Sequence, residues 1–206
     1  MKKLLLISFV LLFAVSTFGQ IRFGLRAGVN IANETYSASG MSMSPTSIIG
    51  FQAGAILECA LTDHLFLTPG VLYSQKGAKI DLSSFGSTGT GTETLNYIDI
   101  PIDFSYKFGE SSTKFFVLAG PIIGYALGGT DKSDEGSVDI EFGSNAGQYK
   151  RLDFAFGFGA GVDISSFQIS ARYNLGLANI INNGGADLSI KNNVIAITAA
   201  YIFGGK

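Results

Sequence analysis

The sequence predicts an all-β chain, an eight-stranded antiparallel up-and-down transmembrane β-barrel. Three observations predict it: eight stretches in which apolar residues alternate with small or polar ones, the length of those stretches, and a strict alternation of short and long connections between them. A period of two is the mark of a strand, whose successive side chains point to opposite faces. The stretches run to about 10 to 14 residues. Soluble strands have a mode near five or six, whereas a tilted strand crossing a bilayer needs roughly nine to eleven.

Composition narrows the class further. The 206 residues include 27 glycines, 17 phenylalanines and 8 tyrosines, with 47% hydrophobic and only 15% charged residues. That much glycine argues against a helix-rich fold. A net charge of −2 provides no polycationic surface, so no nucleic-acid partner is expected. One cysteine, Cys59, excludes a disulfide framework and a thiolate zinc site.

The first element is a leader. Lys2 and Lys3 precede the apolar run Leu4 to Val15, and the small residues Thr17 and Gly19 stand at the −3 and −1 positions of a cleavage site before Gln20. The run is too short for a span of about 20 residues. The domain organisation is therefore a signal peptide over 1–19 and one barrel domain over 20–206, in an exported chain.

The first alternating stretch carries Phe23, Leu25, Ala27, Val29 and Ile31 on one face and Arg22, Gly24, Arg26, Gly28 and Asn30 on the other. The second runs from Phe51 to Leu61 and the third from Leu65 to Tyr73. The fourth, Ile98 to Phe108, and the fifth, Phe115 to Leu127, follow the same rule. Leu152 to Ile164, Phe167 to Leu177 and Ile195 to Phe203 complete the eight. Short links lie near 62–64, 109–113 and 165–166, and long ones over 34–47, 79–94, 129–151 and 178–192. Short periplasmic turns and long external loops are the outer-membrane pattern, and an even strand count puts both termini in the periplasm.

The apolar face is taken to point outward, into outer-membrane lipid. In a lipocalin-like soluble barrel it would point inward, but a stripe such as Phe154, Phe156 and Phe158 would crowd an eight-stranded lumen. Gly120, Gly124, Gly157, Gly159 and Gly161 on the alternate face suit that narrow interior. Pro69 and Pro121 each remove a ladder donor, and a bulge is expected at each.

The end of the leader at Phe18-Gly19-Gln20, the opening Gly24-Leu25-Arg26-Ala27-Gly28-Val29-Asn30, Tyr97-Ile98-Asp99-Ile100-Pro101, Ala119-Gly120-Pro121, Gly159-Ala160-Gly161-Val162-Asp163 and Ala171-Arg172-Tyr173-Asn174 carry a resemblance. In their order and spacing they resemble the PorT-like family of small outer-membrane barrels from Bacteroidota, over essentially the whole mature chain. The resemblance implies an eight-stranded barrel. Some members of that family are linked to a secretion system, a role that membership alone does not transfer.

Enzymatic residues are scarce. His64, the one histidine, lies beside Asp63 in a short turn, and no nucleophile is placed to pair with it. Gly157-Phe158-Gly159-Ala160-Gly161 lacks the Lys and Ser/Thr of a phosphate loop. Asp131, Ser133 and Glu135 have partial calcium-loop spacing, but Phe142 stands where a bidentate Glu is required. No catalytic residue, metal or cofactor is expected.

The charged residues of the inward face form the candidate site. Counted from the periplasmic rim, Arg22, Glu58, Lys107 and Asp163 share the lowest level. Arg26, Asp103 and Arg172 share the next, with Asp99 and Asp153 above. Confined charges must pair, so Asp103 is expected to meet Arg172, Arg26 or both and to plug the barrel. The expected role is non-enzymatic anchoring and display of surface loops. The alternative is a minor channel or a component of an envelope secretion apparatus.

The last strand, ending Ala200-Tyr201-Ile202-Phe203, is the expected signal for the barrel-assembly machinery. Phe203→Asp is predicted to lower the amount of heat-modifiable, SDS-resistant barrel recovered from outer membranes. An unchanged yield contradicts this assignment.

Overall fold

Within hydrocarbon every backbone N–H and C=O must find a partner in the chain, and a sheet achieves this only by closing on itself. The computed structural model describes residues 21–81, 89–109, 112–134, 136–182 and 187–204. The expected leader over 1–19, residues 82–88 and Glu135 lie outside the described residues.

Ten strands are present among the described residues. They are β1 (Ile21–Ala38), β2 (Met41–Met43), β3 (Thr46–Ala60), β4 (Leu65–Asp81), β5 (Thr90–Phe108), β6 (Thr113–Ser133), β7 (Gly136–Asp139), β8 (Leu152–Ile164), β9 (Phe167–Gly176) and β10 (Leu188–Ile202). Eight of them form the ring, in the order β1, β3, β4, β5, β6, β8, β9, β10, and every pairing is antiparallel. Closure is by β1 against β10, from Gly24 opposite Ile202 to Ala38 opposite Leu188. β2 and β7 are short arms on β1 and β6. The start of β1, the end of β10 and the tight turns at 61–64 and 165–166 share one rim, here the termini end; the longer connections leave from the other, the loop end.

The ring strands are longer than the apolar alternation indicates, running from 10 residues in β9 to 21 in β6. Much of the segments 34–47, 79–94 and 129–151 expected as loop is strand, because pairing continues past the level where the outward face stops being apolar. The prolines also behave differently from expectation. Pro69 pairs with Ile102 and Pro121 with Phe156, and the register is the same on either side of each. A proline forfeits one ladder bond, and the rest of a long ring holds the strand in place without an inserted residue. The register shifts lie elsewhere, at Ser47/Gln52 between β3 and β4 and at Asn96/Tyr97 between β5 and β6.

The outward face is a lipid belt. Phe23, Leu25, Phe51, Val71, Phe104, Phe115, Phe154, Phe158, Ile169 and Ile197 are all exposed. Aromatic pairs ring its termini end: Phe23 stacks on Phe203 at 5.7 Å and Phe108 on Phe115 at 6.1 Å, and Phe167 meets Tyr201 edge-on at 5.0 Å. Such girdles mark membrane interfaces. The belt ends toward the loop rim at Ile31, Tyr73, Ile98 and Ile195, above which the outward positions become Asn33, Gln75, Asn96 and Asn193.

Beyond that level the polarity of the barrel inverts. Leu95, Tyr97, Ala126, Ile180, Ile181 and Ile190 are buried inside, packed with Tyr36, Ile140, Phe142, Tyr149 and Leu188. The loop end thus has an apolar interior and a polar exterior, as a protein in water does.

Close strand contact depends on glycine. A Cβ at Gly120 would lie 2.0 Å from the Ile102 carbonyl oxygen, whereas one at Gly128 meets nothing within 4 Å. Gly120→Ala is predicted to destabilise the barrel by about 1 to 3 kcal/mol, as overpacking does, and Gly128→Ala to leave it unchanged. Urea unfolding in detergent measures both; equal stabilities contradict the packing.

Candidate functional site: a charged column in the lumen

Residue parity determines which side chains enter the lumen, and strand register determines their height. Even positions point inward on β1, β3, β4, β9 and β10, and odd positions on β5 and β8. All nine charged residues singled out from the sequence lie on the inward face, and they meet in layers.

The layer nearest the termini is a chain of four. Arg22 pairs with Glu58, Lys107 bridges Glu58 and Asp163, and Gln168 Nε2 donates to Asp163 Oδ1 at 2.9 Å. The Lys107 ammonium also lies over the Phe66 ring, 4.4 Å from its centroid. The next layer centres on Asp103, only 1% exposed. Arg172 Nη1 donates to its Oδ2 at 2.9 Å and Nη2 stands 2.8 Å from Oδ1; Arg26 Nη1 approaches Oδ2 at 3.3 Å. Arg172 can lie flat across the lumen because Gly157 is beneath it: a Cβ there would sit 2.3 Å from two of its guanidinium nitrogens.

The third layer contains a residue that sequence reasoning missed. Lys76 donates to Asp99 Oδ1 at 2.9 Å and to Asp153 Oδ2 at 3.1 Å, and lies 4.3 Å from the Tyr97 ring centroid. Asn192 Nδ2 also donates to Asp153, at 3.0 Å. With Lys76 included, Arg22, Arg26, Lys76, Lys107 and Arg172 face Glu58, Asp99, Asp103, Asp153 and Asp163, cation for anion. The middle layer has one cation in excess and the layer above it one anion. A cavity of about 10 Å³ separates these two layers, room for about one water molecule.

Glu34 and Glu93, both buried, occupy the loop end of the column and were also missed. Tyr36 Oη donates to Glu34 Oε2 at 2.7 Å and Tyr149 Oη to Glu93 Oε2 at 2.8 Å. Even parity continued from Arg22 through Asn30 reaches Glu34. That signal went unused because the apolar stripe ends at Ile31.

His64 is exposed, and its ring Nδ1 lies 3.1 Å from the Lys107 carbonyl oxygen, which ties the turn to β5. Asp131 lies in a β-hairpin opposite Val138, and the glycines from Gly157 to Gly161 lie within β8. Among the described residues no cluster of His, Cys, Asp or Glu is arranged to hold a metal.

A closed antiparallel ring with an apolar exterior and a paired ionic interior defines an integral outer-membrane barrel. The family model described as "Outer membrane protein beta-barrel domain" matches residues 14–182, and the chain belongs to that family. No curated protein matches the chain. Among solved structures it is similar to Neisserial surface protein A, NspA, with 14% identity, 89% of this chain and 99% of that chain covered, and a TM-score of 0.49. It is also similar to Ail, the attachment invasion locus protein of Yersinia pestis, with 13% identity, 90% and 100% coverage and a TM-score of 0.46. A de novo designed transmembrane β-barrel is similar at 15% identity, with 88% and 94% coverage and a TM-score of 0.39.

Asp103→Ala would leave two arginines in the lumen without their carboxylate. It is predicted to destabilise the barrel by about 3 to 5 kcal/mol, against no measurable change for Asp131→Ala at the exposed β6 end. Equal unfolding midpoints for the two variants contradict a load on the central ion pair.

Proposed function

We propose that this protein is a closed, non-enzymatic outer-membrane anchor that displays its loop end at the cell surface. The observation that carries the reading is the ion-paired column: layers of opposed charge, with a cavity of about 10 Å³ between two of them, beneath an apolar plug. A conducting pore needs a continuous wet path, and here the charges of the three ionic layers are engaged with one another.

In this reading residues 1–19 are a signal peptide, 20–206 are the mature barrel, and both termini lie in the periplasm. The PorT-like resemblance supports a small closed barrel. The lipid belt holds the chain in the membrane, and the polar rim beyond it, with the β2 and β7 arms, is the surface available to a partner.

Two measurements test the reading. Purified protein in planar lipid bilayers is expected to give no conductance steps; discrete steps that scale with salt overturn the closed anchor in favour of a channel or secretion component. In a Cys59→Ala background, Ser137→Cys is predicted to react with an impermeant thiol reagent on intact cells, and Thr62→Cys only after the outer membrane is permeabilised. The reverse pattern overturns the orientation.

A further inference from the structure

The acid pair at the loop end has no role in anchoring and no counter-charge. Glu34 is fully buried and Glu93 is 6% exposed, and neither takes part in any ion pair among the described residues. The two carboxyl groups belong to one buried cluster with Tyr36 and Tyr149, close enough for each to act electrostatically on the other. On each, Oε2 accepts from a tyrosine hydroxyl while Oε1 is buried without a conventional donor. Two carboxyl groups confined in one apolar interior without a counter-charge are costly unless one carries a proton.

The charged and titratable surroundings reinforce this. Tyr36 on β1 and Tyr149 on the segment after β7 are neutral donors. On β8, Asp153 adds negative charge, and the Lys76 ammonium on β4 is engaged by Asp99 and Asp153. On β6, Asp131 adds further negative charge at Glu93, and β10 presents the uncharged Asn192 opposite Glu34. Burial first, and the neighbouring Glu93 second, hold the Glu34 carboxyl well above the usual range; burial also raises Glu93.

We propose that Glu34 and Glu93 form a proton-binding site, one proton shared between their otherwise unpartnered oxygens, whose occupancy latches the 140–151 segment over the loop end of the lumen. The latch is Tyr149. Its hydroxyl reaches Glu93, and its backbone is fixed to both sides of the segment: its N–H donates to the Glu141 carbonyl, and its carbonyl accepts from Gly143. Lys150 N donates to the Ile180 carbonyl, joining the segment to the chain after β9. Loss of the proton leaves two carboxylates in an apolar pocket, which is relieved by admitting water and releasing Tyr149.

The sign follows from the raised carboxyls. Protonation is favoured in the closed state, so closure is fully stabilised below the ordinary glutamate range and weakens as pH rises through the titration of the buried pair, by up to about tenfold per pH unit for one proton. This inference stands independently of whether the barrel conducts.

The test is a nitroxide attached at Ser144→Cys, an exposed position on the segment, in the full-length Cys59→Ala barrel in lipid vesicles. Spin-label mobility is followed from about pH 5 to about pH 9, a window above the ordinary carboxyl range. Infrared difference spectra across the same window report carboxylic-acid groups. The expected result is an immobile label at low pH, a mobile one at high pH, and an acid carbonyl band that disappears with the transition and is missing in E34Q. Glu93→Gln, which donates its own amide hydrogen, should keep the label immobile throughout; Tyr149→Phe should make it mobile throughout. A flat wild-type profile overturns the proposal, as does a missing acid band at low pH, or an E93Q barrel that titrates like the wild type. Heat-modifiable mobility establishes that each variant is folded, and the unsubstituted Glu pair supplies the infrared readout if a variant is not.

Discussion

Eight strands enclose a lumen barely wider than the side chains that fill it, and an arginine entering from one wall meets whatever projects from the opposite wall. The contact of Arg172 and Arg26 with Asp103 joins β9, β1 and β5 across the barrel. Most of the interior follows from it. Gly157 is small because the Arg172 guanidinium lies against β8 at that point. The excess cation of this layer is balanced by the excess anion of the Lys76 layer. Between these two layers there is room for about one water molecule.

The same chain meets two solvents. Within the lipid belt the outward face must be apolar, so the polar groups turn inward and are paired. Beyond Ile31, Tyr73, Ile98 and Ile195 the exterior meets water, and the preference reverses: Leu95, Ile180 and Ile190 turn inward while Asn33, Gln75, Asn96 and Asn193 turn out. The backbone ladder crosses this boundary without interruption between β1 and β10. Glu34 and Glu93 lie just past it, in the part of the interior where apolar neighbours replace ionic partners. That placement explains why two acids there are matched with tyrosines instead of cations.

The inversion also explains what the sequence revealed and what it hid. From Phe23 to Ile31, or Phe154 to Phe158, large apolar groups alternate with glycine and charge, and strand, face and height can all be read directly. Glu34, Lys76 and Glu93 keep the same parity as their strands. Their outward neighbours, such as Thr35, Gln75 and Thr94, are polar, so the contrast between faces fades: Glu34 and Glu93 fall in segments read as loop, and Lys76 falls beyond the end of the third stretch at Tyr73. Lys76 was lost for this reason, and with it the charge balance of the column. Pro69 and Pro121 failed in a different way: the loss of a hydrogen bond is local, and composition does not show how firmly the neighbouring strands hold the register.

Opposite charges joined across the lumen brace the barrel. The most direct measurement is a double-mutant cycle on Asp103→Asn and Arg172→Met, with stability read by reversible urea unfolding in lipid vesicles. A coupling of about 1 to 3 kcal/mol between the two sites is the predicted result, since residues in direct contact share their loss. Additive effects, each substitution costing the same whether or not its partner is present, would contradict the account.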